Sequence, residues 1–423
     1  MAERRYRVLA VATHPVQYMA PVFRRMAAHP GLELRVAYCS LRGAEEGHDP
    51  EFGAAVKWDV PVLEGYSWSH EANRGDGSES FWGWRNPGIG KLIREGQYDA
   101  VLCFVGYVRA TFWMAWRAAR GSNTAFLFGT DAVTLGPRDG RAWKSTVKKG
   151  VWPRLFRLAD QVIVPSSGSR DLMLSLGLPA ERVTLTPYSV DNDWWMAEAK
   201  KVDREAAREA WGAGPGDAVV LFCAKLQAWK RPGDLLEAFA RARLSNALLV
   251  MAGEGPLRGE LERLAESLGI ASRVRFLGFV NQSRLPAVYA AADVMVLPSE
   301  YEPFAVVVNE AMCCGCPVIA SDQVGAARDL VAPVRKDFVY PARDVAALAE
   351  LLRNALGDPA RLAAMRERCV AHMRTWSPER NIEATREAIA RAVARKRGRN
   401  RERASASGTS VQTAQTSSQK LHE

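Results

Sequence analysis

The stretch AVVLFCAKLQAWKRPGDLLEAFARARLSNALLVMA, residues 218–252, decides the fold class. Its pattern predicts a buried strand over Ala218–Cys223, a helix over Pro232–Arg243 and a second buried strand over Ala247–Ala252. Apolar strands joined by a helix are typical of a parallel sheet with helices packed on its faces. The stretch therefore predicts an α/β unit.

The same alternation continues downstream. It predicts helices over Leu257–Leu268, Arg284–Ala291 and Ala305–Cys314, and strands over Val274–Leu277, Val294–Pro298 and Val318–Ser321. Together these elements indicate one doubly wound parallel sheet.

The first half of the chain predicts a second unit of the same kind. Its strands are predicted at Arg7–Ala12, Leu32–Tyr38, Ala100–Val105, Thr124–Phe128 and Gln161–Pro165, with helices at Pro21–Ala28 and Ala110–Arg120. The segment Glu45–Pro87 is less regular and is predicted as a strand with long loops. The break between the units is predicted between Asp191 and Asp217. Two such units hold a ligand between them, because ligands bind outside the carboxyl ends of parallel strands.

Composition excludes several classes of protein. The chain has 423 residues, of which 48% are hydrophobic and 9% aromatic, and this excludes a wholly disordered chain. No apolar run approaches the about 20 residues of a membrane-spanning helix. We expect no secretory signal, and seven cysteines do not form a disulfide framework, so a reducing cytoplasm is the expected location.

The net charge of +10 is concentrated at the carboxyl terminus. Residues 391–423 carry eight Lys or Arg against two Asp or Glu. Because nucleic-acid-binding proteins cluster their positive charge on a folded face, we expect no nucleic-acid partner. The last helix is predicted over Pro378–Arg395, followed by a disordered, basic tail that is either an electrostatic anchor or a solvated terminus.

The strongest chemical signal is Glu302-Pro-Phe-Ala-Val-Val-Val-Asn-Glu310. One carboxylate is predicted in the loop before an apolar helix and the other inside that helix, separated by about 12 Å of helical rise. Such a pair suits two hydroxyl-bearing rings joined by a diphosphate, since carboxylates accept strong hydrogen bonds from hydroxyls. A capping carboxylate with a solvated helical glutamate is the alternative.

Cations and glycines follow the strands of the same unit. Lys225 and Lys230 precede the helix that begins at Pro232, which indicates a diphosphate site made of two ammonium groups and helix amides; a surface basic cluster is the alternative. Gly253-Glu254-Gly255-Pro256 either lets a ligand approach the backbone or forms a plain turn. Phe279 and Val280 follow the third strand and border the expected base.

With these residues in this order, the chain resembles the retaining glycosyltransferases of family 4. The resemblance covers about residues 155–385 and includes Gly315–Ser321 and Gly325–Val331, where Asp329 replaces a common Glu. It implies the GT-B fold: two Rossmann-like doubly wound parallel-sheet domains facing a central cleft, with a carboxy-terminal helix that crosses back. The implied bounds are 1–195 for the acceptor domain, 196–374 for the nucleotide-sugar domain, 375–394 for the helix and 395–423 for the tail.

The resemblance also implies roles. Glu302 contacts the donor sugar, Glu310 the ribose, and Lys225 and Lys230 the diphosphate of a UDP- or GDP-sugar; Lys225 stands where the family usually has Arg. The implied donor cleft consists of Gly253, Glu254, Phe279, Val280, Phe304 and Ala305. No metal is expected, and Cys313-Cys314-Gly-Cys316 lacks the partner ligands of a zinc site. The implied activity is retaining transfer of a sugar in bacterial-type surface polysaccharide or glycoconjugate synthesis. A nucleotide-sugar-binding protein without transfer, or an epimerase, is the alternative.

The first half resembles the family less closely. The loop after its first strand, Thr13–Tyr18, has no glycine; His14 there either binds acceptor or phosphate, or only fixes the loop. Asp131, after Gly129-Thr130, either orients a substrate hydroxyl or caps a helix. Both are predicted catalytic-site residues.

The sequence allows more than one kind of acceptor and two interpretations of the segment 141–159. The acceptor is predicted to be a glycan, a lipid-linked molecule or a small molecule. The segment 141–159 interleaves Trp143, Trp152 and other apolar residues with six cations, and it either contacts the inner face of a membrane or packs on its own domain. The sequence does not give the oligomeric state.

Overall fold

The computed structural model describes residues 4–45, 47–49, 54–136 and 143–419. Its strands, in chain order, are β1 (Tyr6–Ala12), β2 (Leu32–Tyr38), β3 (Gly47–Asp49), β4 (Ala54–Val56), β5 (Ser67–His70), β6 (Ala100–Cys103), β7 (Ala125–Gly129), β8 (Gln161–Val164), β9 (Val183–Leu185), β10 (Ala218–Cys223), β11 (Ala247–Ala252), β12 (Val274–Gly278), β13 (Val294–Leu297), β14 (Val318–Ser321) and β15 (Val339–Tyr340).

Helices connect these strands. They are α1 (Met19–Ala28), α2 (Pro87–Glu95), α3 (Ala110–Gly121), α4 (Trp143–Phe156), α5 (Ser167–Ser175), α6 (Asn192–Lys200), α7 (Arg204–Ala210), α8 (Pro232–Ala242), α9 (Arg258–Ser267), α10 (Leu285–Ala291), α11 (Val306–Cys313), α12 (Ala332–Val334), α13 (Val345–Leu356), α14 (Pro359–Thr375) and α15 (Pro378–Gln419).

Two parallel sheets organise the molecule, as the sequence predicts. The first has the order β5-β2-β1-β6-β7-β8-β9 and the second the order β12-β11-β10-β13-β14-β15. Every residue of β11 and β6 is buried, because helices cover both faces of these central strands. In each sheet the order reverses beside the first strand, at β1/β6 and at β10/β13, and such a switch point opens a crevice at the carboxyl ends of the strands. The fold is GT-B.

The last helix returns from the second half to the first. It begins after Trp376, whose indole Nε1 donates to the carbonyl of Tyr188 at 2.7 Å. Ala388, Ile389, Ala392 and Val393 of α15 then pack in the core that also contains the strands β1 and β2. Apolar burial therefore ties the end of the chain to its beginning.

The structure differs from the sequence prediction at the end of this helix. We expected α15 to end at Arg395 and a disordered tail to follow, but the helix continues to Gln419. Residues 395–403 include five Arg and one Lys, which favour helix, and the segment from Arg395 to Gln419 has no proline to end it. Residues 420–423 lie outside the described part of the chain.

Candidate functional site

A cavity of about 370 Å³ lies at the carboxyl ends of β10 and β11. The second half of the chain contributes most of its wall, including Lys225, Lys230, Glu302 and Glu310. Tyr18 and Trp58 of the first half close the other side. The two predicted acids and the two predicted cations therefore share one cavity between the two halves.

Glu302 and Lys230 form an ion pair at the cavity wall. The Lys230 ammonium donates to Glu302 Oε2, and each side chain is only 15% exposed. The loop carrying Glu302 is fixed by backbone bonds on both sides: its N–H donates to the Gln323 carbonyl at 3.2 Å, and its carbonyl accepts from Gly325 N–H at 2.9 Å. The carboxylate therefore projects from a loop that the neighbouring chain segment holds in position.

Glu310 is a buried acid held by two hydrogen bonds. Tyr289 donates its hydroxyl to Glu310 Oε2 at 2.9 Å, and the Gln282 amide donates to Oε1 at 3.5 Å. Burial raises the pKa of Glu310 from its ordinary value of 4.5 to about 7, and the two hydrogen bonds oppose that shift. Glu310 also lines the cavity, so a ligand hydroxyl that reached it would meet a carboxyl group whose pKa lies near neutral pH.

The amino terminus of α11 borders the cavity through Ala305, Val306 and Val307. Ala305 adopts a left-handed conformation with φ of 82°, which turns the chain from the Glu302 loop into the helix. The unpaired amides of a helix amino terminus attract anions. The sequence predicted that α8 would supply these amides. In the structure Arg231 and Asp234 pair across the start of α8, at 2.7 Å and 3.0 Å, and that helix does not line the cavity.

Two glycines, Gly253 and Gly255, follow the strand β11, and neither position has room for a side chain. A Cβ on Gly253 would lie 2.0 Å from the Ala224 carbonyl oxygen, and one on Gly255 would lie 2.6 Å from that of Leu226. Gly253 lines the cavity, as do Phe279 and Val280. Two predicted cleft residues do not line it: Glu254 pairs with Arg258 at 3.5 Å, and Phe304 is buried against Tyr188 with ring centroids 5.3 Å apart.

The two candidate residues of the first half, His14 and Asp131, do not line this cavity either. Asp131 is nonetheless close to it. Burial, with a smaller contribution from the Asp131 carboxylate, raises the pKa of Tyr18 to about 12, and Tyr18 lines the cavity. His14 belongs to the loop that joins β1 to α1, four residues before Tyr18.

Several residues that line the cavity were not predicted from the sequence, among them Tyr18, Trp58, Trp229, Gln282 and Tyr289. Tyr289 lies on α10, where its apolar neighbours indicate core packing, and nothing local predicts its bond to Glu310. Trp58 lies in the irregular segment Glu45–Pro87, which was predicted as a strand with long loops near the cleft and without any individual site residue.

Polar contacts join the two halves of the chain. Ser283 donates its N–H and its hydroxyl to the Asp59 carboxylate, at 3.0 Å and 2.5 Å. Asp329 accepts from the N–H of Ser167 at 2.8 Å and from its hydroxyl, so Asp329 binds the start of α5 in the first half. The position where the family commonly has Glu thus carries a bridge between the two halves.

Metal ligands do not gather within the described ranges: no three His, Cys, Asp or Glu side chains lie close enough to hold an ion. Cys313, Cys314 and Cys316 are buried thiols, and burial raises the pKa of each above its ordinary value. No helix in the part of the chain that the structure describes has the length and apolar character needed to cross a bilayer.

Comparison with family profiles accounts for most of the chain. Residues 203–376 match the family described as Glycosyl transferases group 1, and residues 2–189 match the Glycosyl transferase 4-like domain. The gap between the two matches, residues 190–202, overlaps the predicted break between Asp191 and Asp217.

Curated relatives match over part of their length. A D-inositol 3-phosphate glycosyltransferase 2 of Catenulispora acidiphila is 34% identical over 247 residues, which is 56% of this chain and 57% of the relative. An uncharacterised glycosyltransferase of Methanocaldococcus jannaschii is 34% identical over 184 residues, 43% of this chain and 47% of the relative. The chain thus matches about half the length of these relatives.

Solved structures share the fold. The HepE protein of Anabaena, crystallised with UDP and glucose, superposes with a TM-score of 0.69 at 19% identity, over 91% of this chain and 100% of that one. A sucrose-phosphate synthase of Thermosynechococcus elongatus gives 0.65 at 19% identity, over 95% and 100%. At this identity the likeness shows the GT-B architecture.

Proposed function

The chain belongs to the group 1 glycosyltransferases, and on that premise we propose that it transfers a sugar from a nucleoside-diphosphate sugar to an acceptor hydroxyl, with retention of the anomeric configuration. The observation that carries the proposal is the single cavity that contains Lys225, Lys230, Glu302 and Glu310. Two ammonium groups and two carboxylates match a ligand with an anionic centre between two polyols.

Each part of the donor has a complementary group in the cavity. Lys225, Lys230 and the amides at the start of α11 suit the diphosphate, because a helix amino terminus and cations favour the same anion. Glu310 would accept from the ribose hydroxyls. Glu302 would accept from the donor sugar, with Lys230 beside it to hold the carboxylate in place.

The transfer balances without a further reagent. The acceptor oxygen bonds to the anomeric carbon while the bond from that carbon to the diphosphate oxygen breaks, and that oxygen keeps the electron pair. The acceptor proton passes to the departing diphosphate, which acts as the base. Lys225, Lys230 and the helix amides stabilise the negative charge that develops on the leaving group. We assign no protein base; Asp131 is proposed to orient a substrate hydroxyl, and His14 to bind substrate, on the side of the cleft that carries Tyr18.

We propose the donor and the acceptor only as chemical classes. A UDP- or GDP-sugar is the proposed donor, and the complex of HepE with UDP and glucose supports this class. The proposed acceptor is a glycan, a lipid-linked molecule or a small molecule, in cytoplasmic synthesis of a surface polysaccharide or glycoconjugate. Relatives named for D-inositol 3-phosphate support the small-molecule choice.

Thermal shift with a panel of UDP- and GDP-sugars tests the donor site. A ligand that binds only the folded chain raises its melting temperature. We expect one donor to do so in the wild type, and we expect Lys230→Ala and Glu310→Ala to abolish that shift while far-ultraviolet circular dichroism stays unchanged. Glu237→Ala, an exposed residue of α8, is the matched control. If the donor raised the melting temperature of both site variants as much as that of the wild type, the proposed roles of Lys230 and Glu310 in donor binding would be refuted. Release of nucleotide from the same donor separates an enzyme from a binding protein.

Helix α4 supports a peripheral contact with the inner face of the cell membrane. Its buried face consists of Trp152, Leu155 and Phe156. A second apolar face, Trp143, Val147 and Val151 at four-residue spacing, is 49–60% exposed, and Lys144, Lys148, Lys149 and Arg154 lie on the same helix with no acid. Residues 141 and 142 of the predicted segment lie outside the described residues.

Vesicle sedimentation tests this contact. We expect binding to phosphatidylcholine vesicles that contain phosphatidylglycerol, and weaker binding to vesicles without the anionic lipid. The double variant Trp143→Ser, Val147→Ser should lose most of the binding, and Val108→Ser, at an equally exposed valine outside α4, should keep it. Equal binding by both variants would exclude α4 as the contact.

A further inference from the structure

Trp229 separates the donor cavity from a second, larger cavity. The second cavity has a volume of about 660 Å³ and lies between Thr134 and Gly136 of the first half and several loops of the second half. Trp229 lines both cavities, and its side chain is 41% exposed. A large aromatic surface that remains open to solvent beside a binding site is available to a ligand.

The backbone fixes Trp229 relative to the donor site. Its carbonyl accepts from the N–H of Glu300 at 2.9 Å, and the next residue, Lys230, pairs with Glu302. Gln323, which lines the second cavity, accepts the N–H of Glu302 at 3.2 Å. Because the two cavities share these connections, a molecule in the second cavity would lie next to the sugar that Glu302 is proposed to hold.

The lining of the second cavity suits a neutral sugar. Beside the indole of Trp229 it presents the Thr134 hydroxyl, the Gln323 amide and the carboxylates of Glu300 and Asp322. An aromatic face stacks on the apolar face of a pyranose, and carboxylates accept from its hydroxyls.

The charge of this lining disfavours a phosphorylated molecule. Arg343 is the single cation among the residues that line the second cavity in the described part of the chain, against two carboxylates. Its guanidinium already binds Glu300 Oε2, at 2.6 Å and 2.9 Å. A phosphate group would therefore approach an uncompensated negative charge.

We propose that the second cavity is the acceptor subsite and that it takes a neutral pyranose, stacked on Trp229. This inference rests on the proposed transferase function and deepens it. The acceptor hydroxyl that faces Glu302 supplies the oxygen that bonds to the anomeric carbon, and its proton leaves on the diphosphate released from the donor.

Transfer assays with two aromatic variants test the subsite. The donor is the nucleotide sugar that gives the thermal shift, and the acceptors are maltose, cellobiose, chitobiose and D-inositol 3-phosphate. We expect transfer to at least one neutral disaccharide. Trp229→Ala should lower kcat/KM for that acceptor about tenfold, because stacking is lost, and Trp229→Phe should restore most of it. Trp82→Ala, at an exposed tryptophan outside both cavities, is the matched control.

A charge variant tests the preference for a neutral acceptor. Asp322→Asn keeps the size of the side chain and removes one carboxylate, so we expect kcat/KM for the disaccharide to fall severalfold. Transfer to D-inositol 3-phosphate alone, or an unchanged disaccharide kcat/KM in Trp229→Ala, would overturn the inference while leaving the transferase proposal standing. Failure of every nucleotide sugar to shift the melting temperature would instead refute the proposed function, and this inference with it.

Discussion

At the scale of single residues, Glu310 couples the site to pH. Its carboxyl is buried, and its pKa is raised from 4.5 to about 7 chiefly by loss of water. Between these two values the folded chain keeps a proton that the unfolded chain releases. The stability that this contributes is complete below pH 4.5 and is lost as the pH rises to 7. A buried, ionised Glu310 is therefore a cost that the fold carries at neutral pH.

Replacing Glu310 by glutamine should remove that pH dependence. Relative to the wild type, Glu310→Gln should gain roughly 3 kcal/mol in the free energy of unfolding between pH 4.5 and pH 8, because the amide has no charge to bury. Urea unfolding at both pH values measures the difference. The exposed Glu237→Gln should show no such change, and a flat difference for Glu310→Gln as well would mean that the carboxyl is hydrated.

The sequence predicted which residues would share a cavity better than it predicted the side chains that these residues contact. Lys225, Lys230, Glu302 and Glu310 line one cavity, as their order along the chain implied. The partners of these residues were not predictable, since Tyr289 meets Glu310 across 21 positions through a helix whose composition indicates only core. Phe304 shows the converse: its position in a functional motif suggested a ligand contact, but its ring is buried beside Tyr188.

At the scale of elements, the Glu302 loop depends on a glycine in another segment. Gly325 donates to the Glu302 carbonyl at 2.9 Å, and a Cβ there would lie 2.0 Å from the Pro303 carbonyl oxygen. The atoms that this Cβ would meet all belong to the backbone of Pro303 and Phe304, so relief of the contact requires one of the two segments to move. The two segments therefore hold each other in position only while residue 325 has no side chain.

Gly325→Ala should accordingly impair both stability and donor binding. We expect a loss of about 1–3 kcal/mol in the free energy of unfolding, typical of overpacking, together with a weaker donor-induced thermal shift because Glu302 is displaced. Gly233→Ala is the control, since its Cβ would meet only the Leu264 side chain at 3.6 Å. If Gly325→Ala kept wild-type melting and donor shift, the close contact would have no role.

Buried central strands were predicted to the residue, and short edge strands were not. The strands β10, β11 and β14 have the predicted bounds, because each is a buried apolar run. The edge strands β9 and β15 were missed, and β5 was predicted only as a strand at an unspecified place in Glu45–Pro87. β5 is the polar stretch Ser-Trp-Ser-His, β9 has three residues and β15 has two. Such strands form because a neighbouring strand offers hydrogen bonds, and that information lies elsewhere in the chain.

At the scale of the whole molecule, several small polar bridges join the halves around the cleft. One is the Asp59 carboxylate on Ser283, across 224 positions of sequence. It lies beside Gln282, which donates to Glu310, and near Trp58, which lines the donor cavity. The bridge therefore connects closure of the cleft directly to the groups that are proposed to hold the nucleoside.

Asp59→Ala should weaken donor binding without unfolding either half. The two hydrogen bonds are solvent-exposed, so together they contribute about 1 kcal/mol, and the dissociation constant of the donor should rise about fivefold. Calorimetric titration gives the constant, and small-angle scattering should show a larger radius of gyration for the variant. Glu64→Ala, at an exposed carboxylate of the same segment, is the control. An unchanged dissociation constant in Asp59→Ala would contradict this role of the bridge. The Asp329→Ala variant then tests whether the bridge to Ser167 holds the cleft instead.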